Sequence, residues 1–331
     1  PVAVVDVTPI STSLELNEQK TFAYSVENTG GSDLEVSFIG GQWFRFDETS
    51  ATTISKYNYH VKEENSGEPS YNWLDITKTG TKLPYDMNGE SDKTKFWTEV
   101  ELPFTFKYYG TDYNKLKVGY NGIIALGGDP DAKPFPQRVL PIGDTEAAFI
   151  YPMWSAGGFD LYNYPNDAGM YYQQYDDKVV ISWMYFLNFF GWGESFQTIL
   201  HKDGLIKFQY KKIDGVSDGT GSGIVGIESS TGSQSISISN QSMLPHNQGL
   251  AYLIVPDNAH IVAPNSTIEG NIVLESANIY GGSFSDNLLI RTNDPATTEF
   301  LKPLSVNVAG EAAIEVVSDI DFGDLEVAFD D

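Results

Sequence analysis

The sequence predicts an all-β protein in which one β-sandwich is interrupted by a second, larger β-sandwich domain. Nineteen Tyr, nineteen Phe, 31 Gly and 16 Pro favour strands joined by tight turns over helices. Apolar and polar residues alternate with period two near both ends of the chain, and no long segment has helical periodicity. The middle of the chain also reads as strands but is denser in aromatics. A chain of 331 residues has room for two or three domains.

The alternation of apolar and polar residues in the N-terminal region predicts strands with one buried face. The stretch "YSVENTGGSDLEVSF", residues 24–38, indicates a strand, a Gly-Gly turn and a second strand, which together would form a hairpin. Gly40 and Gly41 then mark the exit of the chain from this unit. Two or three strands leave an apolar face bare, so residues 1–44 need partner strands from elsewhere. The residues expected to be buried are Leu14, Leu16, Phe22, Tyr24, Val26, Leu34, Val36 and Phe38.

The partner strands are expected near the other end of the chain, in residues 256–310. The same alternation recurs there, with turns at Gly281-Gly282 and at an Asp-Pro dipeptide. Both halves together supply about seven strands in about 100 residues, which is the size of an immunoglobulin-like sandwich. We therefore predict a discontinuous immunoglobulin-like β-sandwich interrupted by residues 45–255. Its second half would bury Ile268, Ile272, Leu274, Leu288, Ile290, Leu304, Val306 and Val308.

The two halves resemble those of a known repeat. "VENTGGSDLEVSF" and "VAPNSTIEGNIVLESANIYGGSFSDNLLIRTNDP" are similar to immunoglobulin-like repeats of the hydin or ASH type, called choice-of-anchor D in bacteria. The resemblance implies a large secreted or surface protein, as in Bacteroidetes-like bacteria, with neighbouring repeats of the same chain as partners. The tail, residues 311–331, reads either as the first strand of a following repeat or as a strand that folds back. The resemblance rests on Asn28-Thr29-Gly30, Ala263-Pro264, Gly281-Gly282 and Asn293-Asp294-Pro295.

The interrupting region, residues 45–255, is expected to hold eight to ten strands, which imply a second sandwich or an open barrel. Turn residues separate the strands at 176–177, 201–204 and 229–232. The region resembles the nidogen-like family in "LPFTFKYYGTDYNKLKVGYNGIIALGG", "YPMW", "VVISW" and "FQTILHKDGLIKFQY". That resemblance implies a β domain of large secreted proteins, surface adhesins or the accessory regions of secreted peptidases.

Charge and composition exclude several partners. Forty-five acidic residues against 20 basic ones give a formal net charge of −25, which repels phosphate backbones, so no nucleic acid partner is expected. No apolar run of about 18 residues is present, so no membrane insertion is expected. The chain has no Cys and therefore neither disulfides nor thiolate metal ligands. The acidity favours an extracellular or cell-surface location and indicates either solubility in a salty medium or carboxylates that hold Ca²⁺.

The sequence contains no recognisable catalytic motif, and we predict that the chain is not an enzyme. Neither a His-Glu-x-x-His spacing nor a Gly-x-Ser-x-Gly elbow is present. His201, within the "HKDG" turn, is interpreted as a solvated hairpin residue. The histidines lie in four unrelated contexts, at His60, His201, His246 and His260.

Two stretches are candidate binding sites. Asp129 and Asp131 in "DPDAKPFP" belong either to a plain loop or to a Ca²⁺ site; no other cofactor is expected. Phe189, Phe190 and Trp192 flank glycines where a hairpin tip would be expected, although tips are usually polar. If exposed, these rings form a platform for a sugar ring, a peptide or a partner domain; otherwise they fold under and cap the core or pack on the first sandwich.

These observations favour a non-enzymatic extracellular module with a structural or adhesive role. The sandwich would hold out the inserted β domain, whose partners would be surface glycans or proteins. The alternative is an accessory, non-catalytic region of a secreted hydrolase such as a subtilisin-like peptidase.

Overall fold

A computed structural model describes most of the chain, and the protein is all-β, as predicted. The described residues form 24 strands and one four-residue helix, numbered here in chain order. They are residues 1–62, 71–86, 93–131, 140–142, 147–155, 157–164, 166–188, 193–212, 223–240, 249–277 and 279–310.

Strands from both ends of the chain build the first sandwich. Its first sheet has the order β1 (Ala3–Val5), β3 (Gln19–Asn28), β22 (Ser266–Glu275), β5 (Phe44–Glu48). The facing sheet has the order β2 (Ile10–Leu14), β24 (Glu299–Val308), β23 (Gly282–Thr292), β4 (Leu34–Ile39), β21 (Ala259–Val262), β6 (Thr53–Lys56).

Pairing between distant strands holds this sandwich together. β3 and β22 are antiparallel over ten residues each, from Gln19 opposite Glu275 to Asn28 opposite Ser266. β2 and β24 pair in parallel. The inward faces of both sheets form one apolar cluster, because alternate residues of a strand point to the same side. This cluster contains all the residues predicted to be buried except Leu16 and Phe22: Leu14, Tyr24, Val26, Leu34, Val36, Phe38, Ile268, Ile272, Leu274, Leu288, Ile290, Leu304, Val306 and Val308.

Three details of the N-terminal prediction were wrong. β3 and β4 lie in opposite sheets, so residues 24–38 form an arch between the sheets and not a hairpin. Leu16 is 48% exposed, because β2 ends at Leu14 and the chain turns there through Asn17, whose φ is 62°. Phe22 is only partly buried and packs against the edge of the cluster.

The first half of the sandwich extends beyond the predicted boundary at residue 44. Gly40 and Gly41 do not lead out of the sandwich; the Gly41 amide donates to the Phe44 carbonyl (2.8 Å) in a tight turn between β4 and β5. β5 then pairs with β22, and β6 pairs with β21. The strands of the sandwich therefore come from residues 3–56 and 259–308.

The residues between these halves form two further sheets. The larger has the order β7 (Tyr59–Lys62), β20 (Leu250–Pro256), β17 (Ile206–Lys212), β16 (Gly193–His201), β15 (Lys178–Asn188), β14 (Gly169–Gln174), β8 (Thr81–Leu83), with β13 (Gly157–Phe159) paired to β15. The smaller has the order β19 (Ser235–Asn240), β18 (Ile224–Glu228), β12 (Ala148–Trp154), β11 (Ile123–Leu126), β10 (Thr111–Gly119), β9 (Trp97–Tyr108). The helix α1 (Lys93–Phe96) precedes β9.

The inserted domain has a large aromatic core. β9 alternates buried and exposed side chains, whereas β12 is buried throughout. Trp183 is fully buried and stacks on Phe196 at 5.1 Å. The turns predicted at residues 176–177, 201–204 and 229–232 are confirmed, but the described strands outnumber the eight to ten expected.

Candidate functional site

The joint between the sandwich and the inserted domain is a continuous two-stranded ribbon. Within the described residues, the chain passes between the two units twice, from β6 to β7 and from β20 to β21. Pro256 pairs with Tyr59 on the insert side, and Ala259 pairs with Lys56 on the sandwich side. Between these pairs the Asp257 amide donates to the Asn58 carbonyl at 2.8 Å. Each crossing therefore continues a strand of one unit into a strand of the other.

An apolar cluster packs beside this ribbon. Ile39 of β4 belongs to the sandwich, and the partly buried Leu289 of β23 packs against it. Leu205, Leu253 and Val255 come from the inserted domain, and all three are buried. Burial of one such side chain stabilises by about 1.5–3 kcal/mol relative to exposure, so this contact favours the docked arrangement of the two units.

A buried ion pair links the units on the same side. Lys62 Nζ, at the end of β7, lies 2.6 Å from Asp286 Oδ2 of β23, and the two side chains are only 9% and 10% exposed. The same ammonium group lies 4.6 Å from the centre of the Phe44 ring. Loss of one partner of such a pair leaves an uncompensated buried charge, which ties the orientation of the two units to this contact.

Arg291 forms a second polar link across the joint. Its guanidinium lies 2.9 Å from the Asp257 carboxylate in the crossing and 3.1 Å from Glu299 of the neighbouring strand. Its Nη2 atom is 3.4 Å from Nδ1 of His60 on β7. Burial, assisted by the positive charge of Arg291, holds the pKa of His60 below its usual range, so this imidazole is neutral at pH 7.

A cavity of 160 Å³ lies between the two units at the ribbon. Phe38 and Phe46, stacked at 3.8 Å, line it from the sandwich, and Asp203 lines it from the insert. Arg45 also lines it and is bound by Asp47 at 2.9 Å, and by Glu275 at 2.6 Å. The volume is below the roughly 300–1,000 Å³ of small-molecule sites, so we interpret the cavity as a gap in the joint and not as a substrate pocket.

The sequence-predicted binding residues lie away from this joint or outside the described ranges. Asp129 forms an exposed ion pair with Lys117 at 3.0 Å, and Asp131 is exposed. Within the described ranges, no group of three His, Cys, Asp or Glu side chains could hold a metal ion. The Ca²⁺ site stays a prediction. The aromatic residues Phe189, Phe190 and Trp192 fall outside the residues that the structure describes, as does the 311–331 tail.

His201 and His260 are largely buried among other side chains of the fold. The interpretation of His201 as solvated was wrong: its side chain is 8% exposed, and burial together with Lys178 and Lys207 lowers its pKa to about 3. His260, in β21, is held by Glu48 at 3.1 Å. Burial lowers its pKa despite that carboxylate. His246 lies outside the described residues.

Sequence reasoning missed the polar residues of the joint. Lys62 and Asp286 are 224 positions apart, and each reads as an ordinary surface charge in its own strand. One signal was present, since Asp286 has the same parity on β23 as the apolar positions Leu288 and Ile290 and therefore points to the same side of the sheet. Only the pairing of the strands brings the two charges together.

The architecture defines a class of protein: a discontinuous β-sandwich that carries a second β domain on a two-stranded ribbon. The NIDO related family model matches residues 58–258, more than half of the chain, and the chain belongs to that family. The matched range starts and ends at the two crossings of the ribbon. No curated protein and no solved structure gives a significant match. The resemblance of the sandwich to hydin or ASH repeats stays a prediction.

Proposed function

We propose that this protein is a non-enzymatic extracellular display module, in which the sandwich holds the NIDO-related domain in a fixed direction. The observation that carries this proposal is the ribbon, because two hydrogen-bonded crossings resist the bending and twisting that a single linker allows. The apolar cluster and the ion pair between Lys62 and Asp286 also oppose movement of one unit relative to the other. A fixed direction matters for an adhesive or structural part of a surface protein, whose binding face must point away from its support.

Family membership and charge support a location outside the cell or at its surface. The NIDO-related match favours an extracellular β-rich module, and the net charge of −25 keeps such a module soluble and away from anionic surfaces. Among the described residues, no helix has the length and apolarity needed to cross a bilayer.

The proposal is tested by measuring whether the two units tumble together. Backbone ¹⁵N relaxation of the full chain is expected to give one rotational correlation time for the sandwich and the insert. A matched variant with a short Gly-Ser insertion after Tyr57 and another after Asn258 breaks the ribbon and should give two different times. Separate tumbling in the unmodified chain would contradict the proposal. Hydrolysis of peptide or glycoside substrates by the purified chain would contradict its non-enzymatic part.

A further inference from the structure

An exposed aromatic turn stands on the inserted domain, far in sequence from the joint. Residues 161–164 follow β13, and all four of their side chains are exposed. We call these residues the tyrosine ledge. Tyr162 is 94% exposed, while Leu161 and Tyr164 are also among the exposed large hydrophobic residues. A nearly free tyrosine is unusual because its ring is a large apolar surface with only one polar end.

Hydrogen bonds fix the backbone of the ledge. The Asp160 amide donates to the Tyr185 carbonyl, and the Tyr164 amide donates to the Asp160 carbonyl, both at 3.0 Å. The Asp160 carboxylate accepts from the Asn163 amide at 2.9 Å and from its side chain Nδ2 at 2.8 Å. These bonds hold the pKa of Asp160 below its usual value. The backbone that carries Tyr162 is therefore held in one conformation, which reduces the backbone entropy lost on binding a ligand.

The floor of the ledge is a strained tyrosine. The Tyr164 ring stacks on the Tyr185 ring with centroids 3.8 Å apart and planes 10° from parallel. Tyr185 has a φ of 52°, at a register shift of β15 between Trp183 and Phe186. Its amide donates to Ser195 Oγ at 3.1 Å. Bulges re-aim side chains, and a non-glycine residue at positive φ persists only where its surroundings hold it there.

The size of the ledge favours a small ligand over a protein. Full burial of one tyrosine removes roughly 150–250 Å² of accessible surface from water, so Tyr162 and Tyr164 together offer at most about 300–500 Å² of contact area. One side of a standard protein interface covers about 800 Å². One face of Tyr164 is already covered by Tyr185, which lowers the available area further.

The polar groups around the rings favour a neutral, hydroxyl-bearing ligand. Asn163, Asn166 and Asp167 lie near the tyrosines along the chain, are exposed, and offer amide and carboxylate groups that pair with hydroxyls. Lys82 Nζ is bound to the Asn166 carbonyl at 2.9 Å, which fixes this part of the rim. The chain's charge of −25 disfavours acidic ligands such as sulfated or sialylated sugars.

We propose that the tyrosine ledge binds a neutral sugar. The pyranose packs its C–H face on the Tyr162 ring, whose electron-rich face attracts the partly positive C–H groups, and its hydroxyls pair with Asn163 and Asn166. The proposal gives the display module a glycan as ligand and in that sense rests on the proposed function.

The test is a titration of the full chain with neutral oligosaccharide fragments of glucan, mannan, galactan and chitin, followed by ¹⁵N NMR shifts and calorimetry. At least one series is expected to bind and to shift the amides of residues 161–164, Asn166 and Asp167. Tyr162→Ala should weaken that binding about tenfold or more, and Tyr162→Phe should retain most of it. The matched control is Tyr175→Ala, an exposed tyrosine at the opposite end of the strands β14 and β15, which should leave the affinity unchanged.

Three results would overturn the glycan proposal. The first is that none of the four oligosaccharide series binds. The second is that an oligosaccharide binds equally well to the Tyr162→Ala variant. The third is that Tyr162 is needed for binding a protein but not for binding any oligosaccharide. Each is independent of the tumbling of the two units, so a failed glycan site and a flexible joint are told apart by separate measurements.

Discussion

At the scale of single residues, one buried asparagine hydrogen-bonds to both halves of the first sandwich. Asn28, in the "NTG" stretch, is fully buried at the arch between the sheets. Its Nδ2 donates to the carbonyls of Ser32 at 2.8 Å and Val262 at 2.9 Å, and its Oδ1 accepts from the Gly30 amide at 3.0 Å. One side chain thus joins both halves of the discontinuous sandwich. The Asn-Thr-Gly pattern could be recognised in the sequence, but the hydrogen bonds that Asn28 makes across the sandwich could not be predicted from it.

The first prediction concerns this asparagine. Asn28→Ala leaves the Val262 and Ser32 carbonyls without their donor, and we expect a loss of about 2–4 kcal/mol in the free energy of unfolding. Urea unfolding followed by circular dichroism measures it. Asn307→Ala removes an exposed hydrogen bond to Ser283 and should change stability by less than about 0.5 kcal/mol. Equal effects of the two substitutions would contradict the role assigned to Asn28.

The buried His201 predicts a dependence of stability on pH. Its folded-state pKa of about 3 lies below the reference value of 6.5, so between these values the unfolded chain binds a proton that the folded chain does not. The free energy of unfolding is therefore not reduced by His201 above pH 6.5. As the pH falls from 6.5 toward 3, protonation of this group in the unfolded chain lowers the free energy of unfolding by up to about 1.4 kcal/mol per pH unit. Urea unfolding from pH 7 to 4 should show a steeper loss in the wild type than in His201→Gln. Parallel curves would show that His201 keeps its proton when buried.

At the scale of elements, two glutamines hold residues 71–76 against the outer face of the larger insert sheet. We call this segment the strap. Gln209 accepts from the Asn72 amide at 2.6 Å and donates to the Asn72 carbonyl at 2.8 Å. Gln197 bonds the Leu74 amide and carbonyl in the same way, at 3.2 and 3.0 Å. Both glutamines are fully buried. Their amides replace the backbone of a missing neighbour strand, so the backbone groups of Asn72 and Leu74 are hydrogen-bonded where residues 71–76 lie on the sheet.

Removal of one of these amides should loosen the strap. Gln197→Leu keeps the volume but leaves two backbone groups of Leu74 without partners, and we expect a loss of about 2–3 kcal/mol. Hydrogen exchange at the Leu74 amide should also accelerate, which separates a local loosening from global destabilisation. The control is Gln174→Leu on β14, where the side chain is exposed and little change is expected. Unchanged exchange at Leu74 would contradict the strap's dependence on Gln197.

Some elements could be predicted from the sequence and others could not, for physical reasons. The strands β3, β22 and β24 were predictable because one buried face imposes a period of two on the residues. An arch and a hairpin give the same alternation, so the crossing from β3 to β4 was not predictable. The buried glutamines were missed because a polar residue in a strand normally indicates a solvent-facing position.

At the scale of the whole molecule, the joint combines covalent and non-covalent restraints. The ribbon limits bending, the cluster around Ile39 and Leu253 excludes water, and the buried pair of Lys62 and Asp286 fixes the relative rotation of the units. No short sequence pattern encodes this arrangement, since the charged partners meet only after both units have folded. The candidate site was therefore beyond the reach of sequence reasoning, although the interruption of the sandwich was not.

The ion pair of the joint gives a prediction at this scale. Asp286→Ala leaves Lys62 buried without its counter-charge, and we expect the free energy of unfolding to fall by about 3–5 kcal/mol. Glu299→Ala is the matched control because it removes an exposed carboxylate from Arg291, at a cost of less than about 1 kcal/mol. Thermal or urea melts measure both. A small effect of Asp286→Ala would show that Lys62 reaches water and that the pair does not lock the joint.

The most direct test of the central claim is a distance across the joint. The chain has no Cys, so spin labels can be placed at Glu27→Cys in the sandwich and Lys115→Cys in the insert without background labelling. A pair at Lys115→Cys and Asp176→Cys, both within the insert, serves as the reference for a rigid unit. Pulsed electron–electron double resonance is predicted to give one distance across the joint, with a distribution as narrow as that of the reference pair. A broad or two-peaked distribution across the joint, with a narrow reference, would contradict rigid display.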